Sequence, residues 1–323
     1  MHALKTLLFC VVGLMAGGAL AQTTAYPAKP ITLVLPVAAG SSGDTAFRVL
    51  AEKMYGKLGQ PLVLENTTGA AGLIGIERGR RAPPDGYTLL GGNDSGLIYL
   101  PLLNKNATYD PRKDFEPITQ VADIEWVLVV NPAFPAQTVA DLIKLAKERP
   151  GKIDYASGGP GSPQQVIMEL FKKRAGIDLM HVPYKGATPA LTDVVSGTVA
   201  VGFQGIAVAK PYLQNGRLRA LATTGLTRSV LLPDVPTVAE SGFPGFEYHS
   251  WVGLLFPANT SREQVNVIHE AAVAALADPA VRASFAASGL TPVGNTPEQF
   301  RKNLVLDYSR LSDLVNSIGL KIE

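Results

Sequence analysis

Cysteine is almost missing from this chain. Cys10 is the only one in 323 residues, and it sits inside an N-terminal stretch laid out like an export leader. Lys5 supplies a positive start, Leu7 to Leu14 an apolar segment, and Ala19-Leu20-Ala21 a small-residue cleavage site before Gln22. Bulky Phe9 before Cys10, with apolar sequence after it, argues against a lipid-anchored cysteine. Residues 1–21 are therefore expected to be a signal peptide, cleaved after about Ala21, leaving a periplasmic chain without a thiol. That excludes disulfide staples and cysteine nucleophiles, so the fold must rest on its apolar core.

An excess of charge of one sign is missing as well. Lys and Arg number 29 against 27 Asp and Glu, for a net charge of +2. Such a balance excludes the basic footprint of a nucleic-acid binder and the polybasic patch of a membrane-surface protein. After the leader, no apolar run is long enough to read as a bilayer span.

Histidine is scarce, with His181, His249 and His269 alone following the leader, and catalytic signatures are incomplete. Gly92-Asn93-Asp94-Ser95-Gly96 and Gly159-Pro160-Gly161-Ser162-Pro163 lack the spacing of a G-x-S-x-G nucleophile elbow. His269-Glu270-Ala271-Ala272-Val273 starts like a zinc-protease helix but has Val273 where the second ligand belongs. No Walker lysine follows a glycine loop, and Gly158-Gly159-Pro160-Gly161 lacks dinucleotide spacing. His181, within an apolar strand, reads as structural. No catalytic residue, metal ligand or cofactor is assigned, and the protein is not expected to be an enzyme.

What is present is a rhythm of strand, small-residue loop and helix. Ile31 to Leu35 reads as a strand, Pro36 to Asp44 as a loop, and Phe47, Leu50, Ala51, Met54 and Leu58 share one helical face beyond it. The pattern recurs with strands at 61–65, 87–91, 153–156, 179–182 and 199–203, each running into a glycine-bearing loop and then a helix. Further strands are expected at 126–130, 219–223 and 251–256, with no regular element at 110–125. Capping boxes at Thr138/Asp141 and Ser261/Gln264, and a start at Thr296-Pro297 with Gln299, open later helices. The order implies an α/β fold of mainly parallel sheets flanked by helices, with lobe 1 at 22–125 plus 249–323 and lobe 2 at 126–248.

Where a strand ends in a loop that opens a helix, backbone N–H groups are unpaired and the helix dipole is positive, which suits an anion. The loops combine glycine for close backbone approach with Ser, Thr or Asn for hydrogen bonds. None contains Arg, and only the loop at 183–188 has a lysine, Lys185. An anion would thus be held by backbone N–H groups and hydroxyls. Asp44 suits such a site only if its carboxylate turns back on its own helix, which the Ser41 spacing permits. Trp251 and Phe203 are candidates to flank a ligand, although such residues beside strands are more often core.

From about Tyr26 to Leu320 the chain resembles the Bug-type periplasmic solute-binding receptors of tripartite tricarboxylate transporters. The matching stretches include Tyr26-Pro27-Ala28-Lys29-Pro30-Ile31, the Gly40–Asp44 loop, Pro84-Asp85-Gly86-Tyr87-Thr88-Leu89, His181-Val182-Pro183-Tyr184-Lys185-Gly186 and Leu232-Pro233-Asp234-Val235-Pro236-Thr237. The resemblance implies a two-lobed, type II-like periplasmic binding protein that closes on a small carboxylate: a di- or tricarboxylate, or an aromatic acid. It also implies a monomer serving membrane permease subunits or a sensor protein. Carried over by position, lobe 1 contacts the ligand through Ser41, Ser42, Gly43, Asp44, Gly69, Ala70, Ala71, Asn93 and Ser95. Lobe 2 does so through Ser157, Gly161, Ser162, Gly186, Ala187 and Gln204. Family members often have Pro-Gly-Gly and Arg-Pro-Gly where this chain has Ala39-Gly40-Ser41 and Thr67-Thr68-Gly69. The added hydroxyls point to a polar mouth suited to a dicarboxylate or hydroxylated acid. The competing reading is an exported hydrolase using Ser95 or Ser162, against which stands the lack of a paired His–Asp signature.

Overall fold

Ile31, Leu33, Val34 and Leu35 have no solvent exposure, as befits β1 (Ile31–Leu35), an interior strand flanked on both sides within its sheet. The computed structural model of the protein describes residues 26–248 and 250–318; the expected leader, its cleavage site and His249 lie outside them. After β1 come α1 (Ser42–Leu58), β2 (Leu62–Asn66), α2 (Leu73–Arg80) and β3 (Thr88–Asn93). A π-helical turn at Ser95–Tyr99 leads into α3 (Leu100–Leu103), followed by β4 (Phe115–Ile124) and β5 (Trp126–Val130). The middle of the chain forms α4 (Val139–Glu148), β6 (Asp154–Ser157), α5 (Pro163–Ala175), β7 (Met180–Pro183), α6 (Ala187–Ser196), β8 (Val201–Gly205), α7 (Ile206–Gln214) and β9 (Arg219–Thr223). The last part returns through β10 (Ser250–Pro257), α8 (Arg262–Ala277), α9 (Pro279–Ala287), β11 (Leu290–Pro292) and α10 (Pro297–Ile318).

These strands form two sheets, a six-stranded one in the order β11-β4-β10-β3-β1-β2 and a five-stranded one in the order β7-β6-β8-β5-β9. Each sheet is mixed, where mainly parallel sheets were expected. β1 runs parallel to β2 and β3, and β6 parallel to β7 and β8, as the strand–loop–helix rhythm requires. The strands at the lobe crossings, β4, β5 and β10, pair antiparallel, because a chain that crosses and returns arrives in opposite directions. Along β5 the side chains alternate between cores: Leu128 and Val130 join the large one, Val127 and Val129 the smaller one under α6 and α7.

The segment at 110–125, expected to be irregular, contains the longest strand, ten residues of β4. Pro117 and its polar neighbours hide it from a reading of alternation. The ladder accommodates the missing proline N–H at an irregularity between Leu254 and Leu255, opposite Thr119 and Pro117. Helix α9 was not anticipated either; Asp278 caps it, accepting hydrogen bonds from the N–H groups of Ala280 and Val281.

The two crossings are bonded to one another. Glu125 alone separates β4 from β5, and its carbonyl accepts the Ile206 N–H at 3.0 Å. On the return crossing, Thr224 donates its N–H to the Trp126 carbonyl (3.0 Å) and its Oγ1 proton to the Tyr248 carbonyl (2.6 Å). The Trp126 indole N–H donates to Ser250 Oγ at 2.9 Å. Thr224→Val keeps the shape but leaves the buried Tyr248 carbonyl without this donor. It is expected to lower unfolding free energy by about 1–2 kcal/mol, read from urea denaturation with an unchanged m-value.

Candidate ligand-binding cleft

A cleft of about 520 Å³ opens between the two sheets, at the carboxyl ends of their parallel strands. Its lobe 1 wall is made by the loops after β1, β2 and β3, its lobe 2 wall by those after β6, β7 and β8. Ile124, Trp126, Ser250 and Val252, on the crossing strands, form the floor. Strand ends gather at such a place because each parallel connection must return its helix along the outside of the sheet.

In lobe 1, Ser41 caps α1, its Oγ accepting the Asp44 N–H at 3.3 Å. Ser42 and Gly43 are the first helical residues, and their N–H groups have no acceptor within the helix. Asp44, expected to meet the ligand, does not line the cleft. Only 2% exposed, it turns its carboxylate back onto the loop. Oδ2 accepts from the Gly40 N–H (2.9 Å) and Arg48 Nε (2.8 Å), and Oδ1 from Asn66 Nδ2 (2.8 Å). Asn66 Nδ2 also donates to the Val37 carbonyl at 3.1 Å, tying the loop to the end of β2. Burial alone would raise this carboxyl, but the hydrogen bonds from Arg48, Asn66 and Gly40 outweigh it and hold the group below its ordinary value.

The second loop is unusual in backbone. Ala70 and Ala71 have φ of 46° and 58°, left-handed values that cost a non-glycine residue about 1 kcal/mol or more. A side chain on Gly72 would meet the Pro36 carbonyl oxygen at 2.9 Å, so glycine lets this loop lie against the first. Asn93 accepts the Gly96 N–H at 2.9 Å, which shapes the turn after β3.

Two hydrogen bonds join the walls directly. Ser95 Oγ donates to the Gly161 carbonyl at 2.7 Å, and Thr188 Oγ1 donates to the Ala39 carbonyl at 3.0 Å. The lobes are therefore closed on one another. On the lobe 2 side, Ser162 stands at the N-cap position of α5 without a side-chain capping bond, and Gly186 and Gly205 stand at the starts of α6 and α7. Several buried polar atoms here have no partner among the described residues: Ser162 Oγ, Gln164 Nε2, and both Nε2 and Oε1 of Gln204.

Every sequence-predicted site residue lines the cleft except Asp44, Ser157 and Gly161. Ser157 lies behind the wall, its Oγ 2.6 Å from His181 Nε2 and accepting the Gly159 N–H at 3.1 Å. Gly161 is held by Gln165, whose Oε1 accepts its N–H at 2.7 Å. His181, stacked on Tyr155 at 4.9 Å, faces Gln165 through its other ring nitrogen; burial lowers its pKa. This Ser–His contact has no carboxylate behind the imidazole and braces the 157–161 loop. Trp251 and Phe203 are core residues. Trp251 packs edge-on against Phe300 and donates to Asp307, while Phe203 is fully buried near Phe171. The sequence reading missed Trp126, Gln164 and Ser250, because nothing local marks a residue that only the crossing or a helix's first turn brings to the cleft, and it passed over Tyr184 within the loop after β7.

Among the described residues the lining contains no Asp, Glu or Arg, and its one charged residue, Lys185, is exposed. Helix starts and hydroxyls thus set the field, favouring an anion. Among the described residues no cluster could hold a metal ion and no helix is long and apolar enough to cross a membrane. Because the folded Asp44 carboxyl lies below its ordinary value, its bonds stabilise the protein above that value and are lost as pH falls. Asp44→Asn is expected to cost about 1–3 kcal/mol at neutral pH. The gap from the parent chain should close in acid, as followed by chemical denaturation across pH.

Residues 46–320 match the model of the tripartite tricarboxylate transporter family receptor. BugT of Bordetella pertussis is 35% identical over 323 residues, spanning 98% of this chain and 99% of that protein. The solved structure of R. palustris Rpa4515 with adipate superposes with a TM-score of 0.89 at 31% identity, covering 92% of this chain and 99% of that one. MatC from Rhodopseudomonas palustris with bound malate gives a TM-score of 0.85 at 30% identity, covering 90% and 100%. A cleft without catalytic geometry, built from the strand ends of two α/β lobes, agrees with these matches: the chain belongs to the tripartite tricarboxylate transporter receptors, a family of periplasmic solute-binding proteins and not of enzymes.

Proposed function

We propose that this protein captures a small organic carboxylate between its two lobes in the periplasm and delivers it to the membrane permease subunits of a tripartite transporter. The observation that carries the reading is the cleft itself. Its lining has no acidic side chain, and the residues opening or capping α1, α5, α6 and α7 all face it. One carboxylate is held by the N–H groups of Ser42 and Gly43, with the Gly69–Ala71 loop, Asn93 and Ser95 completing that wall. Ser162, Gly186, Ala187 and Gln204 face it from lobe 2. The adipate and malate held by Rpa4515 and MatC support a dicarboxylate of this size.

The lobes divide at 22–125 plus 249–323 and 126–248, in keeping with sheet membership. Signal cleavage after about Ala21 releases the chain to the periplasm, where it works as a monomer that a permease or a sensor reads in its closed form. Closure is a population shift in which the ligand bridges the walls and favours the shut state. Ligand identity is tested by denaturing gently purified protein, identifying the released acid by mass spectrometry, and titrating a carboxylate panel by calorimetry. Recovery and rebinding of an organic acid are expected; failure of every acid to bind sinks the reading.

Closure has its own test at Gly205, whose φ of −62° suits any residue. A side chain there would meet Ser42 Oγ of the opposite wall at 2.2 Å, so the obstruction lies across the cleft. Gly205→Val is expected to weaken ligand binding at least about tenfold, while the ligand-free melting temperature shifts by no more than about 4 °C.

A further inference from the structure

Gln204 presents a chemical requirement that a carboxylate cannot meet. The side chain is fully buried at the end of β8, lines the cleft, and leaves both its carboxamide nitrogen and its oxygen without a partner among the described residues. The nitrogen can donate to an anion; the oxygen can only accept. Rotating the amide exchanges the two atoms and leaves the requirement unchanged. On the same wall of the cleft, Gln164, 2% exposed, has an Nε2 and Ser162, 9% exposed, an Oγ without a partner among the described residues. The lobe 1 wall differs in kind: Ser42 and Gly43 offer N–H donors at the start of α1, as an ionised carboxylate needs.

We infer that the ligand carries, at its lobe 2 end, a neutral group that both donates and accepts hydrogen bonds, a hydroxyl in the first place, and that Gln204 selects for it. The inference rests on the carboxylate reading above and narrows it to hydroxylated small carboxylic acids. An ammonium donor is disfavoured, because the lining has no carboxylate to neutralise it and is shaped by positive helix ends. A hydroxyl satisfies Gln204 Oε1 as donor and Nε2, Gln164 Nε2 or Ser162 as acceptor. An acid lacking it leaves buried polar groups unpaired, enough to weaken affinity about tenfold to a hundredfold.

The test is calorimetry on the full-length mature protein with pairs that differ by one hydroxyl: succinate and malate, glutarate and 2-hydroxyglutarate, adipate and 3-hydroxyadipate. In at least one pair the hydroxylated acid is expected to bind about tenfold to a hundredfold more tightly. Gln204→Met, close in size and without hydrogen-bonding atoms, should bring that pair to within about threefold. Its fold is checked by melting temperature, and Gln164→Met gives a second, smaller reduction in preference should Gln204→Met not fold. Equal affinities within every pair in the parent protein overturn the inference alone, as they would if water satisfied Gln204. So does a preference that persists undiminished in folded Gln204→Met. Failure of every acid in the carboxylate panel above overturns the carboxylate reading and this inference together, and failure of these six while a panel acid without a hydroxyl binds overturns the inference alone.

Discussion

The carboxylate of Asp44 faces its own loop, where it meets the Gly40 N–H, Arg48 and Asn66. With these bonds made, the chain between β1 and α1 is held in one path and the first N–H groups of the helix are left to the cleft. The same bonds keep a negative charge away from the wall that meets the anion in the proposed function. A charged residue inside the loop thereby makes the loop fit for a charged ligand, by being satisfied elsewhere. The Gly69–Gly72 loop leans on this arrangement, since Gly72 approaches Pro36 too closely for any side chain.

Across the cleft the construction is different. Lobe 2 adds to its helix starts the buried polar atoms of Gln204, Gln164 and Ser162, which have no partner among the described residues, where lobe 1 offers the N–H groups opening α1 beside the hydroxyls and amide of Ser42, Asn93 and Ser95. Backbone N–H groups recognise charge and tolerate variation along the chain; buried amides recognise a donor–acceptor pattern and punish its absence. On the proposed carboxylate reading, that division leaves one wall for the feature shared by the ligands and the other for what distinguishes them. The bonded crossings around Trp126, Thr224 and Tyr248 let the two walls meet in a defined register, recorded in the contacts of Ser95 with Gly161 and of Thr188 with Ala39.

Much of the fold was legible along the chain. Strands β1, β3, β6 and β8 announce themselves by apolar runs ending in glycine loops, and α4 and α8 by capping boxes that the structure reproduces atom for atom. Strand β4 was not legible, because Pro117 and the polar Thr119 and Gln120 break the alternation, and both polar side chains are buried by tertiary neighbours. Asp44 read as an awkward member of a binding loop unless its carboxylate turned back, which local spacing permitted; Gly40 and Arg48 receive it nearby, and Asn66, twenty-two residues on, is the partner that no local pattern could supply.

Local sequence determined where strands end, where helices begin, and that the loops between them are small, hydroxyl-rich and free of arginine. Those features depend on backbone propensity and capping, which act over a few residues. The tertiary structure decided which of the loops share a cleft, that Ser157 and Gly161 stand behind its wall, and that Gln204 is buried at it with no partner among the described residues. Burial and hydrogen-bond satisfaction belong to surfaces brought together from distant parts of the chain, so no short stretch of sequence encodes them.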